Sequence, residues 1–424
     1  MLSTPLSAEA FKARIAERPV LIWGAGQSGA GLIRALERID MQADAFVDSR
    51  LSLQGGTIMG LPVISPEQLF TRADKPHVII ATFQYQTEIS GLCEAAGLRA
   101  ERDYTCYNEL NPLNYQIVVA GVCNLRCISC PVGNQLSEKR PIGFMNAATY
   151  KQVLLKILRE NPMASVVQLY NWGEPLLNKD LPQIIRCGND LGIMAALSSN
   201  LSVKVDFEEV IKAQPGIFRI SVSGCDDDYA ITHTGGRWDL VLANMHKLSA
   251  WRDQHAPEMI VEVTYHLYQH NTGEHYRRVE QICADLGFVF RSHQAALLPL
   301  DNVYNYKHGL PISKEAERTI DMMLLPIDEA LDAAQRGGDM DPYCTFEHTI
   351  NIDYNLQVIH CGLWFGLTDN KVGNNYLEMS LDEILGIRAE SALCARCKDD
   401  GLHHFCRQYT TEKVIEPIRI ASAG

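Results

Sequence analysis

The chain has 424 residues, 46% apolar and 21% charged, enough to bury large cores and, at roughly 150 residues per domain, to form about three domains. Its 38 Lys and Arg against 51 Asp and Glu leave a formal charge of −13, which argues against a broad basic face for nucleic acid or anionic lipid. No run of about 18 apolar residues is present, so no membrane helix is expected, and without a leader pattern at the N-terminus the expected location is cytoplasmic.

The 13 cysteines are odd in number and sit in a long chain. In a reducing compartment they read as metal ligands or core residues before disulfides. Cys93, Cys187, Cys225 and Cys283 are scattered singles and read as small buried hydrophobes. Turn-forming residues at Asn111-Pro112 and between Leu300 and Leu310 divide the chain into pieces of 1–112, 113–305 and 306–424.

In the first piece, Val20 to Trp23 is a short apolar run followed by Gly24, Gly26 and Gly29. An amphipathic stretch from Ser28 to Ile39 comes next, then a strand Ala43 to Val47 ending at Asp48. Strand before and helix after is the context in which such glycines admit a pyrophosphate and the acid reaches a ribose hydroxyl. His77 to Ala81 reads as a further buried parallel strand. The VLIWGAGQSG turn, FVDS, GLPV and VIIAT segments resemble the small Rossmann-like domain attached to sugar acyltransferases and to some sugar methyltransferases. That resemblance implies a nucleotide or nucleotide-sugar ligand before a redox NAD. A scaffold whose glycines serve only a tight turn is an equal alternative.

In the second piece a strand, Tyr115 to Val119, runs into Cys123, Cys127 and Cys130. Three thiolates from one loop can hold three irons of a cubane and leave the fourth open. Structural zinc asks for four protein ligands, so the triplet suits zinc poorly. Strands also read at Val166 to Tyr170, Ala195 to Asn200, Phe218 to Gly224 and Ile260 to Tyr268, alternating with helices as parallel β/α units do.

The triplet resembles the signature of the radical S-adenosylmethionine (SAM) superfamily, and further motifs agree over about residues 113–295. Gly173-Glu174 resembles the segment that receives the methionine amino group. Ser198 and Asn200 resemble the strand end that contacts the ribose or carboxylate, and Ser221 and Ser223 lie on the next strand. Tyr229, Gly235-Gly236 and a helix after Trp238 follow the same pattern. The resemblance implies a partial (β/α)6 barrel, a [4Fe–4S] cluster on Cys123, Cys127 and Cys130, and SAM at its open iron. One-electron cleavage of SAM would yield a 5′-deoxyadenosyl radical that takes hydrogen from a substrate carbon. The family's usual aromatic before the third cysteine, which packs near the adenine, is here Ser129.

In the third piece, Cys344 and Cys361 flank a hairpin with its turn near Asp353 to Asn355. Cys394 and Cys397 follow a helix from Leu381 to Ile387. Two thiolate pairs suit zinc or a cubane alike. After a radical SAM core, the arrangement resembles the α+β auxiliary-cluster domain of SPASM or twitch type, which implies a second [4Fe–4S] cluster on Cys344, Cys361, Cys394 and Cys397. Cys406 reads as a spare or alternate ligand, and His403 and His404 as solvated.

The fold expected is therefore α/β: a Rossmann-like domain, a partial barrel and a small Fe–S domain. The function expected is hydrogen abstraction from a small molecule, carbohydrate or nucleotide-linked, with oxidation through the second cluster. Flavodoxin or ferredoxin would supply electrons. Asp353, Glu347, His348, Tyr265 and His266 are candidate bases by location. Radical modification of a ribosomal peptide or protein is the second reading, and a non-catalytic electron-relay protein the third.

Overall fold

The computed structural model describes residues 6–51, 53–82, 85–134, 142–366 and 370–409. The chain is a mixed α/β protein with parallel sheets. It divides into two compact units. The first takes Met1–Tyr115, Tyr150–Val167 and Ile185–Ala195, and the second takes Gln116–Thr149, Gln168–Ile184 and Ala196–Gly424.

Six strands build the sheet of the first unit: β1 (Val20–Trp23), β2 (Ala45–Val47), β3 (Thr57–Ile58), β4 (Leu61–Ile64), β5 (His77–Ile80) and β6 (Tyr104–Cys106), in the order β3-β4-β2-β1-β5-β6. β1 pairs in parallel with β2 and β5. Every residue of β1 and β5 is buried, which is why Val20–Trp23 and Val78–Ile80 read as unbroken apolar runs instead of alternating ones. The strand order reverses beside β1, whose C-terminal end carries the glycine turn. Gly24 has φ +115°, and a Cβ on Gly29 would overlap the carbonyl oxygen of Gly24. Both positions therefore require glycine. The helix Gln27–Arg38 buries Ala30, Leu32, Ala35 and Leu36, the 3.6-residue stripe expected of a helix packed on a sheet. Arg34 Nη1 donates to Asn189 Oδ1 at 2.6 Å and Arg38 Nη2 to Pro162 O at 3.0 Å.

The second sheet holds β7 (Asn114–Ile117), β8 (Val166–Gln168), β9 (Met194–Ser199), β10 (Ile217–Val222), β11 (Ile260–Leu267), β12 (Val289–Gln294), β13 (Thr349–Ile352), β14 (Val358–Ile359) and β15 (Lys371–Gly373), in the order β12-β11-β10-β9-β8-β7-β13-β14-β15. From β7 to β12 the spatial order is the chain order, as successive β/α units give. β9 to β12 are parallel. β13 and β14 form the antiparallel hairpin, with Asn351 opposite Ile359, and Asp353 N donates to Gln357 O at 2.9 Å across its turn. Leu297, Val303, Ala330, Trp364, Leu402 and Phe405 share one core.

Some expectations change. β7 runs from Asn114 to Ile117, two residues short of Val119, and beyond it Val118 N still donates to Ile352 O of the neighbouring β13 at 2.8 Å. β8 ends at Gln168, two residues early. His403 and His404 are not solvated: they are 3% and 5% exposed. Gly337 and Gly338 of the helix Ile327–Met340 leave the room that their rings fill. Cys93, Cys187, Cys225 and Cys283 are buried. Among the described residues no helix is long and apolar enough to cross a membrane.

Candidate active site

In the second unit the C-terminal ends of several strands open onto a cavity of about 400 Å³. Cys123, Cys127 and Cys130 line it, and so do Gly173, Glu174, Ser198, Asn200, Ser221 and Ser223. The cysteine loop is held from both sides. Arg126 N and Ile128 N donate to Thr234 O and Thr232 O at 3.0 and 3.2 Å. Asn134 Nδ2 donates to Ile128 O at 2.9 Å and Leu298 O at 2.8 Å. With its carbonyls and amides thus fixed, the loop can present three sulfurs without help from its own side chains.

Gly173 lets the segment after β8 press against the cysteine strand. A Cβ there would overlap Ala120 O, and Glu174 N donates to Val122 O at 2.8 Å. Glu174 is 1% exposed. Its Oε1 accepts from Leu176 N at 3.1 Å, and its Oε2 accepts from Asn200 N and Nδ2 at 2.9 and 2.7 Å. Burial nonetheless pushes its carboxyl up to about 7, a position at which a ligand ammonium would complete its ionisation. Asn200 Nδ2 also lies 3.8 Å from Cys123 Sγ. Tyr229 donates to Asn200 O at 3.2 Å and stacks on His233 at 4.5 Å.

Burial raises the Cys123 thiol to about 11 and the Cys130 thiol to about 12, with Cys127 also pushed well up. Free thiolates are therefore disfavoured here, and a bound cation is what would hold them deprotonated. All three thiols border this one cavity, a donor set that suits a polynuclear cluster, which offers separate irons to separate sulfurs.

A second, smaller cavity is bounded by Cys344, Cys361, Cys394 and Cys397 together with Glu347, His360 and Arg388. Cys406 does not border it; Cys406 lines the larger cavity. Four thiols bordering one small cavity, beside the buried guanidinium of Arg388, fit an anionic tetrathiolate centre.

Of the five candidate bases, His266 alone borders the larger cavity. Burial, followed by His293, holds His266 well below the ordinary histidine range. The same burial disfavours its charged form. Tyr265 Oη is committed to Asn271 O at 2.7 Å within an aromatic core. Glu347 pairs with Lys398. Asp353 shapes the hairpin turn, accepting from Tyr354 N at 2.9 Å, and His348 packs near the Tyr343 ring.

In the first unit, Asp48 is enclosed by its own chain. Its Oδ2 accepts from Ala25 N and Arg50 Nη2, and its Oδ1 from Arg50 N and Nε, all at 2.9 Å. Burial would raise its pKa, yet Arg50 and these N–H groups hold it below the usual carboxylate range. Gly26 precedes the helix, with open space where a Cβ would stand.

No family model matches the chain. The Bacillus subtilis (strain 168) protein YfkA is 28% identical over 137 residues, 31% of this chain and 35% of that protein, so the chain spans about a third of the length of this curated relative. Streptococcus suis SuiB bound to S-adenosylmethionine is similar in structure, with TM-score 0.45 and 15% identity over 76% of this chain and 83% of that one. BtrN in complex with AdoMet and 2-DOIA gives 0.40 and 16%, over 68% and 89% of the two chains. AnSMEcpe with bound AdoMet gives 0.42 and 14%, over 66% and 82%.

Several lining residues carry no sequence motif. Tyr268, just past β11, is 1% exposed and borders the cavity together with Ser129 of the cysteine loop. An aromatic ring thus stands beside the cysteine loop although position 129 has none. Gln294 Oε1 and Tyr409 Oη are buried with no hydrogen-bond partner among the described residues, and both residues border the cavity. His266 and His293, opposite one another on β11 and β12, meet edge to face at 4.6 Å.

Proposed function

We propose that the chain is a radical SAM enzyme that abstracts a hydrogen atom from a small, uncharged, polar substrate, a carbohydrate in the first instance. Cys123, Cys127 and Cys130 hold a [4Fe–4S] cluster, and Glu174, Asn200, Ser198, Ser221 and Ser223 line the SAM position. The partial (β/α)6 barrel is the run of β7 to β12. The observation that carries the reading is that three thiols of one loop and the Gly173-Glu174 segment border one cavity at the strand ends, where sites on parallel β/α units form.

When bound, the cluster supplies the electron that cleaves SAM to a 5′-deoxyadenosyl radical. The chain's own residues do the rest. Glu174 receives the methionine ammonium. Tyr268 stands where the adenine face needs an aromatic wall. The oxygens of Gln294 and Tyr409, unpartnered among the described residues, are poised for hydroxyl or amide groups, which suits an uncharged sugar. His266 accepts the proton released if the substrate is oxidised. Cys344, Cys361, Cys394 and Cys397 hold a second [4Fe–4S] cluster as electron acceptor, and flavodoxin or ferredoxin exchanges electrons with the enzyme in a reducing, cytoplasmic setting. Residues 1–112 form a Rossmann-like domain whose Asp48 braces the glycine turn, 113–305 the core and 306–424 the auxiliary domain.

The test is deuterium transfer into 5′-deoxyadenosine, using reconstituted protein, SAM, a reductant and carbon-deuterated sugars. Label from uncharged sugars supports the reading. Label only from nucleotide-sugars overturns the substrate assignment.

A further inference from the structure

Two groups on the wall of the smaller cavity belong to no motif. His360 is 2% exposed, and its Nε2 lies 3.0 Å from Cys394 Sγ. Arg388 is 9% exposed. It donates to Thr349 O at 2.8 Å and to Phe346 O at 3.0 Å, and among the described residues no carboxylate forms an ion pair with it. Glu347 borders the same cavity but is paired with Lys398, so those charges offset one another. The wall is left with one buried, uncompensated cation and one nitrogen directed at a ligand sulfur.

A buried charge without a counter-ion is costly. Backbone carbonyls share that cost here, and an anionic centre opposite Arg388 would remove most of it. Four thiolates around a cluster give such an anion, and reduction adds one more negative charge. A cation and an N–H donor at the sulfur stabilise the reduced state more than the oxidised one, and so raise the reduction potential.

We propose that His360 and Arg388 poise the second cluster site to accept electrons, which makes it the sink for an oxidation. The inference rests on the cluster reading of this site given above. The balance is simple. A substrate carbon radical bearing a hydroxyl gives up one electron and one proton and becomes a carbonyl. The electron is received at this site and passes on to the external carrier, and the proton goes to a base. His360 and Arg388 are positioning residues here: they touch ligand and cavity, not the substrate.

The test uses the full chain with Cys123, Cys127 and Cys130 all changed to Ala, reconstituted anaerobically with iron and sulfide so that only the second site is loaded. Its midpoint potential is read by electron paramagnetic resonance during a redox titration. His360→Leu removes the donor, His360→Gln keeps an N–H, and Arg388→Gln removes the charge. The expected result is a shift to more negative potential in His360→Leu and Arg388→Gln, with His360→Gln close to the parent. Potentials that do not move in either of the first two variants overturn the inference and leave the cluster reading intact. If His360→Leu fails to fold or to hold iron, Arg388→Gln decides by the same criterion. Zinc in place of iron and sulfide in the parent overturns the cluster reading, and the inference with it.

Discussion

Asn200 gives both its backbone N–H and its side-chain amide to one oxygen of Glu174, at 2.9 and 2.7 Å. The two residues lie on different segments, Asn200 just after β9 and Glu174 after β8, and both border the larger cavity. One residue thus fixes the orientation of a fully buried carboxyl and also reaches toward Cys123. Asn200→Ala removes the side-chain bond and leaves the carboxyl less satisfied. A loss of about 1–3 kcal/mol in stability is expected, together with weaker SAM binding. Urea unfolding and a SAM titration of the reconstituted variant check it; unchanged values in both would mean that Asn200 braces nothing.

Tyr268 supplies a ring beside the cysteine loop, where Ser129 cannot. Tyr268→Ala should weaken SAM binding by about 1 kcal/mol, roughly fivefold, while Tyr268→Phe should keep most of the affinity because the ring remains. Equal loss in both variants would assign the effect to the Tyr268 hydroxyl instead of the ring.

The candidate site was legible where its chemistry lies on contiguous residues. The cysteine triplet can be read from its spacing, Gly173-Glu174 and the serine and asparagine positions at strand ends from the resemblance to the radical SAM pattern, and they border one cavity. The residues missed come from register and from distant segments. His293 faces His266 only because β11 and β12 pair as they do. Gln294 and Tyr409 are 115 positions apart in the sequence, and nothing local ties either to the cavity. His360 and Arg388 meet the second cavity from a hairpin strand end and a helix. Of five bases chosen by location, one borders the cavity, since proximity in sequence says nothing about which side of a strand reaches it. Asp48 was read from its spacing alone, and Arg50, two residues on, encloses it. The buried His403-His404 pair was missed because the space they fill is made by glycines more than sixty residues earlier.

The first unit should show one clear proton linkage. His77 is fully buried in β5 and bonded to Thr105 at 2.9 Å. Burial, followed by the nearby Arg18, lowers its pKa to about 4. Between pH 4 and the unfolded value near 6.5 the unfolded state holds a proton that the folded state refuses, so stability rises with pH across that window. The contribution is complete above the unfolded value and lost on acidification toward pH 4, about 3 kcal/mol in all. Denaturant titrations at several pH values should give a flatter dependence for His77→Gln than for the parent. An identical slope would show that His77 has the same pKa in the folded and unfolded protein, and would contradict the linkage.

The central claim is that the loop of Cys123, Cys127 and Cys130 carries a cluster that cleaves SAM. The most direct measurement is the formation of 5′-deoxyadenosine by the anaerobically reconstituted protein with SAM and a reductant, set beside the variant in which these three cysteines are Ala. The account predicts 5′-deoxyadenosine from the parent and none from the variant, with the variant still holding iron at its second site. Product from both, or from neither when the parent is fully loaded with iron and sulfide, would contradict it.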